Sequence, residues 1–201
     1  MNYLAIDTSG KNLTVIVRNG EKIYKYNDSD CGVNHSVDIM VVIEKLVEES
    51  GIDLKTADFI SVVVGAGSFT GIRIGVSTAK ALCLAYEKPC LAITSFDVMA
   101  YNKEKGRYLA LIDAKHNGYY VCGYQDKKVV YPPSFIDGET LEKLAGEYEL
   151  LSAEKICFDT ESVDLVTGLI NATEQKAEFK TTDMNKIVPL YIRKSQAEEN
   201  R

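Results

Sequence analysis

YLAIDTSGKNLTVIVRNGEKIYKY at residues 3–26 and YLALIDAKHNGYYVCGYQDKKVVY at residues 108–131 are two copies of one pattern. With Asp7 placed on Asp113 the copies run together without a gap, so that Ile6 falls on Ile112, Val15 on Val121 and Ile23 on Val129. In each copy an apolar strand ends on an aspartate and a polar turn follows. A second strand, a tight turn and a third strand come next. Asn19-Gly20 supplies the tight turn of the first copy, because Asn-Gly accepts the positive φ angles that join antiparallel strands. An internal duplication of this kind predicts two lobes with the same topology.

Working outward, a helix is expected over about residues 34–50, capped by Asn34 or Ser36 and stopped by Gly51. A strand over 59–64 leads into a glycine-rich loop. A second helix runs from about 70 to 86 and ends before Pro89. A strand over 90–94 and a short helix from Ser95 complete the first lobe. The second lobe restarts with three strands and a short helix near 139–145. A strand near Ile156, a helix over 162–171 and an ordered stretch at 189–193 are expected after it. The class is α/β, with duplicated βββαβα lobes of the RNase H-like (ASKHA) type found in actin, sugar kinases and Hsp70-like ATPases. The expected lobes are 1–104, which carries the two long helices, and a smaller 105–201.

The chain has 201 residues, 46% of them hydrophobic and 26% charged, ordinary figures for a globular protein able to bury a core. A formal net charge of −6 argues against tight, direct nucleic-acid binding, which rests on phosphate contacts from basic residues. Five cysteines, at 31, 83, 90, 122 and 157, form no CxxC pair, so neither a zinc site nor a disulfide framework is expected. Reduced thiols suit a cytoplasmic location. Neither a signal peptide nor a membrane span is expected from the sequence.

The question for function is whether VGAGSFTGIRIG, residues 64–75, cradles a phosphate. Its glycines are spaced GxGxxxG, and the lysine of a P-loop is missing. No acidic residue follows the next strand to hold a ribose. Asp7, Thr8 and Ser9 do have the place and chemistry of a phosphate turn, with a carboxylate for a hydrated metal and hydroxyls for phosphate oxygens. The same residues also organise ordinary turns. The second copy lacks its half of such a site, because Asp113 is followed by Ala-Lys-His-Asn and Gly118 comes late. Gly168 stands alone where a glycine pair should clamp an adenosine. At most a vestigial phosphate site is expected at Asp7, Thr8 and Ser9, with no cofactor of the chain's own and no metal.

Gly71, Gly75, Ala79 and Cys83 recur at i, i+4, i+8 and i+12 and form one strip of small side chains. A glycine inside a helix costs roughly 1 kcal/mol against alanine, so Gly75 calls for a packing reason. That reason is either the protein's own sheet or a partner's helix, and the strip alone leaves both open. The first helix tips the balance. Val37, Ile39, Met40, Val41, Val42, Ile43, Leu46 and Val47 cover far more than the roughly 100° stripe of a surface helix. Such a helix asks for burial on two sides. The expected partner interface is Ile39, Met40, Ile43 and Val47 with Gly71, Gly75, Ala79 and Cys83. On that expectation Gly75→Leu leaves the lobe folded and abolishes complex formation.

IDTS, His35-Ser36 at the head of the first helix, GSFTGIRIG, TSFDVMA, the IDA turn with Tyr120, and YIR near the end together resemble the bacterial TsaB (YeaZ) family. The resemblance spans nearly the whole chain and is densest over 1–120. It departs at Ala66, where the family usually has proline, and at Lys115 and Gly118, where it usually has arginine and glutamate; the second lobe is also short. The resemblance implies an actin-like fold without its own catalysis. It implies a part in making N6-threonylcarbamoyladenosine (t6A) at position 37 of tRNA, through binding of the catalytic paralogue TsaD, with the ATPase TsaE joining. ATP and Mg would be used by those partners, tRNA would be met through the complex, and the chain alone would form a homodimer. The rival classes are a kinase-like phosphotransferase and a glycoprotease-like peptidase. His35 and His116 lie far apart without HExxH spacing, and Ser68 is outside a GxSxG elbow, which counts against a peptidase. Ser68 is instead expected to cap the second helix, with Thr70 as the rival cap.

Overall fold

The computed structural model describes residues 1–29 and 35–193. Asn34, one of the two caps expected for the first helix, and Cys31 lie outside the described residues. The structure contains two five-stranded sheets. The first is built from β1 (Tyr3–Asp7), β2 (Leu13–Asn19), β3 (Lys22–Asp28), β4 (Phe59–Val63) and β5 (Cys90–Ile93), in the spatial order β3-β2-β1-β4-β5. The second uses β6 (Arg107–Asp113), β7 (Gly118–Gln125), β8 (Lys128–Asp137), β9 (Glu149–Ser152) and β10 (Glu161–Ser162), and reads β8-β7-β6-β9-β10. The two orders are the same topology, with three antiparallel strands followed by two parallel ones. The chain therefore has the duplicated actin-like α/β fold.

The β2–β3 turn falls one residue later than the Asn19-Gly20 expectation. Asn19 pairs with Lys22, and the loop is Gly20-Glu21, with Gly20 at φ 63°. A glycine with positive φ at the first central position suits a two-residue hairpin. Its counterpart is Asp126-Lys127, both left-handed at φ 51° and 65°.

Among the described residues five α-helices accompany the sheets: α1 (His35–Ser50), α2 (Phe69–Tyr86), α3 (Ser95–Ala100), α4 (Gly138–Ala145) and α5 (Leu165–Gln175). Ser68 caps α2 as expected, its Oγ accepting from the Gly71 N–H at 3.2 Å. The helix ends at Tyr86 as expected, and its C-cap is the left-handed Glu87, two residues before Pro89. Asp137 caps α4, and Asp164 accepts from the Val166 and Thr167 amides at the head of α5.

The chain divides into two compact units, Met1–Thr94 with Ala172–Leu190, and Ser95–Asn171 with Tyr191–Arg201. In the first, α1 packs on β2 and β3 while α2 packs on β4 and β1. Between them lies a core of Leu4, Ile6, Val15, Val62, Ile72 and their neighbours. The late segment adds Ile187 to that core and donates from the Leu190 amide to the Val64 carbonyl at 2.7 Å. On the other sheet face Tyr3 stacks on Phe59 and donates to Glu174, which also pairs with Arg18. In the second unit α3 packs on β6, β7 and β9, and a core gathers around Leu109, Val121 and Leu141.

The strand expected near Ile156 is absent. Residues 153–160 form an irregular connection between β9 and β10, and Ile156 and Phe158 pack on the core from that loop. Where the first unit places α2 between its two parallel strands, the second places only this loop. Gly168 also has a packing explanation, because a Cβ there would fall on the Val98 carbonyl oxygen of α3.

Candidate docking surface

The glycine loop is seated on the Asp7–Thr8–Ser9 turn. The Ser68 amide donates to the Ser9 carbonyl at 2.6 Å, and the Thr8 hydroxyl donates to the Gly71 carbonyl at 2.7 Å. A Cβ at Gly67 would fall on the Ser9 carbonyl oxygen, and one at Gly71 on the Thr8 carbonyl oxygen. At Gly75 it would lie 2.5 Å from the Thr8 hydroxyl. These glycines let the start of α2 approach the end of β1 at backbone distance.

The polar groups of the turn are directed at the protein itself. Asp7 is buried, and its Oδ1 accepts from the Ser9 amide at 2.8 Å and the Ser9 hydroxyl at 2.7 Å. Burial pushes the Asp7 carboxyl above its ordinary value, while the Ser9 hydrogen bonds and the nearby His35 pull it part of the way back. His35 is itself buried, with Nε2 3.0 Å from the Asn12 carbonyl oxygen. Such a carboxyl adds stability in acid that is lost as pH rises through its folded value. Asp7→Asn keeps an acceptor for Ser9 without the charge. It is expected to be more stable than the wild type at pH 7, with the gap closing below the ordinary carboxyl value of 3.8. Urea melts at both ends of that range measure it.

In the second unit Asp113 is engaged by its own turn. Lys115 donates to it from both the amide, at 2.8 Å, and Nζ, at 2.6 Å, and holds its carboxyl below the usual range. Lys115, His116 and Asn117 are all left-handed. Among the described residues no group of three His, Cys, Asp or Glu is placed to hold a metal. No helix among them is long and apolar enough to cross a membrane.

The residues read as a partner interface divide into two sets. Ile39, Ile43, Gly71, Gly75, Ala79 and Cys83 are buried in the first unit's own core, and Val47 is half-buried against it. The small-residue strip thus faces β1 and β4, where the partner reading had turned it outward. Met40 alone of the eight is exposed. It belongs to a stripe that the sequence reading missed in part: Val37 is 70%, Met40 51% and Val41 64% exposed. Leu84, 68% exposed, lies on the outer side of α2 with the exposed Ser77 and Ala81. Residues 37, 40 and 41 are spaced i, i+3, i+4 and so share a face, but spacing alone does not say whether that face meets core or solvent. Burial of each such side chain is worth about 2 kcal/mol. Near the start of α2 the Arg73 guanidinium sits 3.9 Å from the Phe69 ring centre. Chemically, the outer side of α1 offers apolar contact near its start, and Leu84 offers it near the end of α2.

Known proteins resemble the chain at three levels. Residues 29–156 match the family profile described as TsaD, tRNA N6-adenosine threonylcarbamoyltransferase. The chain is 28% identical over 162 residues to the tRNA threonylcarbamoyladenosine biosynthesis protein TsaB of Escherichia coli (strain K12), covering 74% of this chain and 69% of that protein. It is 32% identical over 131 residues to the protein of the same name from Bacillus subtilis (strain 168), covering 63% and 56%. The solved structure "YeaZ from Pseudomonas aeruginosa" superposes with a TM-score of 0.78 at 19% identity, covering 95% of this chain and 100% of that one. That last likeness concerns the fold alone.

Proposed function

The chain belongs to the family of the tRNA N6-adenosine threonylcarbamoyltransferase (TsaD) profile, and within it to the TsaB (YeaZ) group, and from that premise we propose that it is a non-catalytic partner protein in the synthesis of t6A on tRNA. It docks on the catalytic paralogue TsaD through the outer faces of α1 and α2, with the ATPase TsaE joining the assembly. In isolation the same face pairs two copies of the chain. ATP and Mg serve the partners, and tRNA is met through the complex.

The observation that carries this reading is the Val37–Met40–Val41 stripe. It is an apolar face exposed on a helix whose opposite face already fills the core. The phosphate turn supports the same conclusion, since Asp7, Thr8 and Ser9 are engaged by one another and by the glycine loop.

The test is a titration of the chain with Mg-ATP, alone and then mixed with TsaD, followed by size-exclusion chromatography of the mixture. A stoichiometric complex with TsaD, and nucleotide uptake only when TsaD is present, is the expected result. Tight Mg-ATP binding by the chain alone, with no complex, would replace this reading with the phosphotransferase one.

A further inference from the structure

Of the residues that α1 buries, Ile39, Val42, Ile43 and Leu46 are apolar and lie along its length, and the two polar ones, His35 and Ser50, are its ends. Each end is tied by a hydrogen bond to one end of β2. At the head, His35 Nε2 lies 3.0 Å from the carbonyl oxygen of Asn12, the residue before the strand. A carbonyl only accepts, so Nε2 carries the proton and donates. At the tail, the side-chain amide of Asn19, the last residue of the strand, donates to the Ser50 carbonyl at 3.0 Å. At about 1.5 Å per helical residue and about 3.3 Å per strand residue, His35 to Ser50 and Asn12 to Asn19 span nearly the same length. The helix therefore lies along the strand, fixed at both ends.

The two kinds of contact differ in what they hold. Apolar burial keeps α1 on the sheet but has no direction, so it tolerates a helix end that rolls or frays. A hydrogen bond weakens steeply as its geometry departs from ideal, so it fixes the end in place. Within residues 35–38, His35 alone is buried. Val37 follows it by two residues, and Met40 and Val41 come on the next turn. Those three are the exposed stripe.

Granted that α1 docks on TsaD, we propose that His35 is a positioning residue: its bond to the Asn12 carbonyl holds the head of α1 in the orientation that presents Val37, Met40 and Val41, so that the stripe is ordered before the partner arrives. A partner that meets an ordered stripe does not spend binding energy on ordering it, and the apparent affinity scales with the fraction of chains already in that arrangement. The bond at Ser50 lies at the other end of the helix, away from the stripe.

Calorimetric titration of full-chain variants against TsaD tests the proposal. His35→Leu keeps the bulk but removes the donor, and should weaken binding about tenfold, the loss expected when about a tenth of the chains hold the competent arrangement. His35→Gln restores an N–H donor and should bind within about threefold of the wild type, since a neutral donor in the same place makes a comparable bond. Asn19→Ala loses the tail bond and should stay within about twofold, because that bond is remote from the stripe. A purely structural role predicts no difference between head and tail and no rescue by Gln. Equal affinities for His35→Leu and Asn19→Ala, while Met40→Asp with Val41→Asp has lost binding, would overturn the role of His35 alone. Undiminished binding by that double variant would overturn the docking of α1 and the role of His35 with it. Hydrogen exchange of the free wild-type chain decides the matter even if a His35 variant fails to fold. The amides of residues 39–42, which bond to the carbonyls of the first turn, should be protected before TsaD is added. Unprotected exchange there until TsaD is present would also overturn the proposal.

Discussion

Gly71→Ala unfolds the first unit at a much lower denaturant concentration than the wild type, by about 3 kcal/mol, the upper end of what overpacking costs. The added methyl would fall on the carbonyl oxygen of Thr8, which is backbone and has no rotamer to move into. Relief requires α2 to lift from β1, and lifting strains the Thr8–Gly71 and Ser68–Ser9 hydrogen bonds as well. Gly75→Leu has the same fate, with Thr8 and Val62 in its path. This reverses the expectation that it would fold and merely lose its partner. Ser77→Ala, on the outer side of the same helix, should stay within about 0.5 kcal/mol of the wild type. Urea melts of the three variants make the comparison. Equal midpoints for Gly71→Ala and Ser77→Ala would show that the glycine strip does not form this seat.

The second large effect is on binding. Met40→Asp combined with Val41→Asp is expected to leave the melt within about 1 kcal/mol of the wild type, because both side chains already face water. Its affinity for TsaD should fall roughly 100-fold or more. Two lost apolar contacts at about 2 kcal/mol each would give that much before the cost of burying two carboxylates. The same variant should also lose self-association. Calorimetric titration against TsaD and sedimentation of the chain alone measure both. Ile43→Asp gives the contrast, since Ile43 is buried and its loss should be seen in folding first.

These predictions show which parts of the molecule the sequence specifies by itself. The repeat anchored on Asp7 and Asp113 was enough to predict two sheets of one order, because strand alternation and turn chemistry are local. The position of Ser68 before a helical run was enough to name a cap. The orientation of α1 was not legible. Residues 39–43 are apolar without a break, so periodicity finds no polar edge to mark which side faces in. The glycine strip posed the same difficulty, since helical spacing tells which residues share a face but not what meets it. Contact with Thr8 and Ser9 is long-range and appears only in the fold. In the second unit a strand is expected near Ile156, which is apolar and β-branched. Ile156 and Phe158 are half-buried residues of a loop that fills the place where the first unit has a helix.

Amide hydrogen exchange on the chain, free and in the presence of TsaD, tests the docking account most directly. The account predicts slowed exchange over α1 and α2, with β8 in the second unit unchanged. Protection confined to the second unit, with α1 and α2 exchanging at their free rates in a complex shown to have formed, would contradict it.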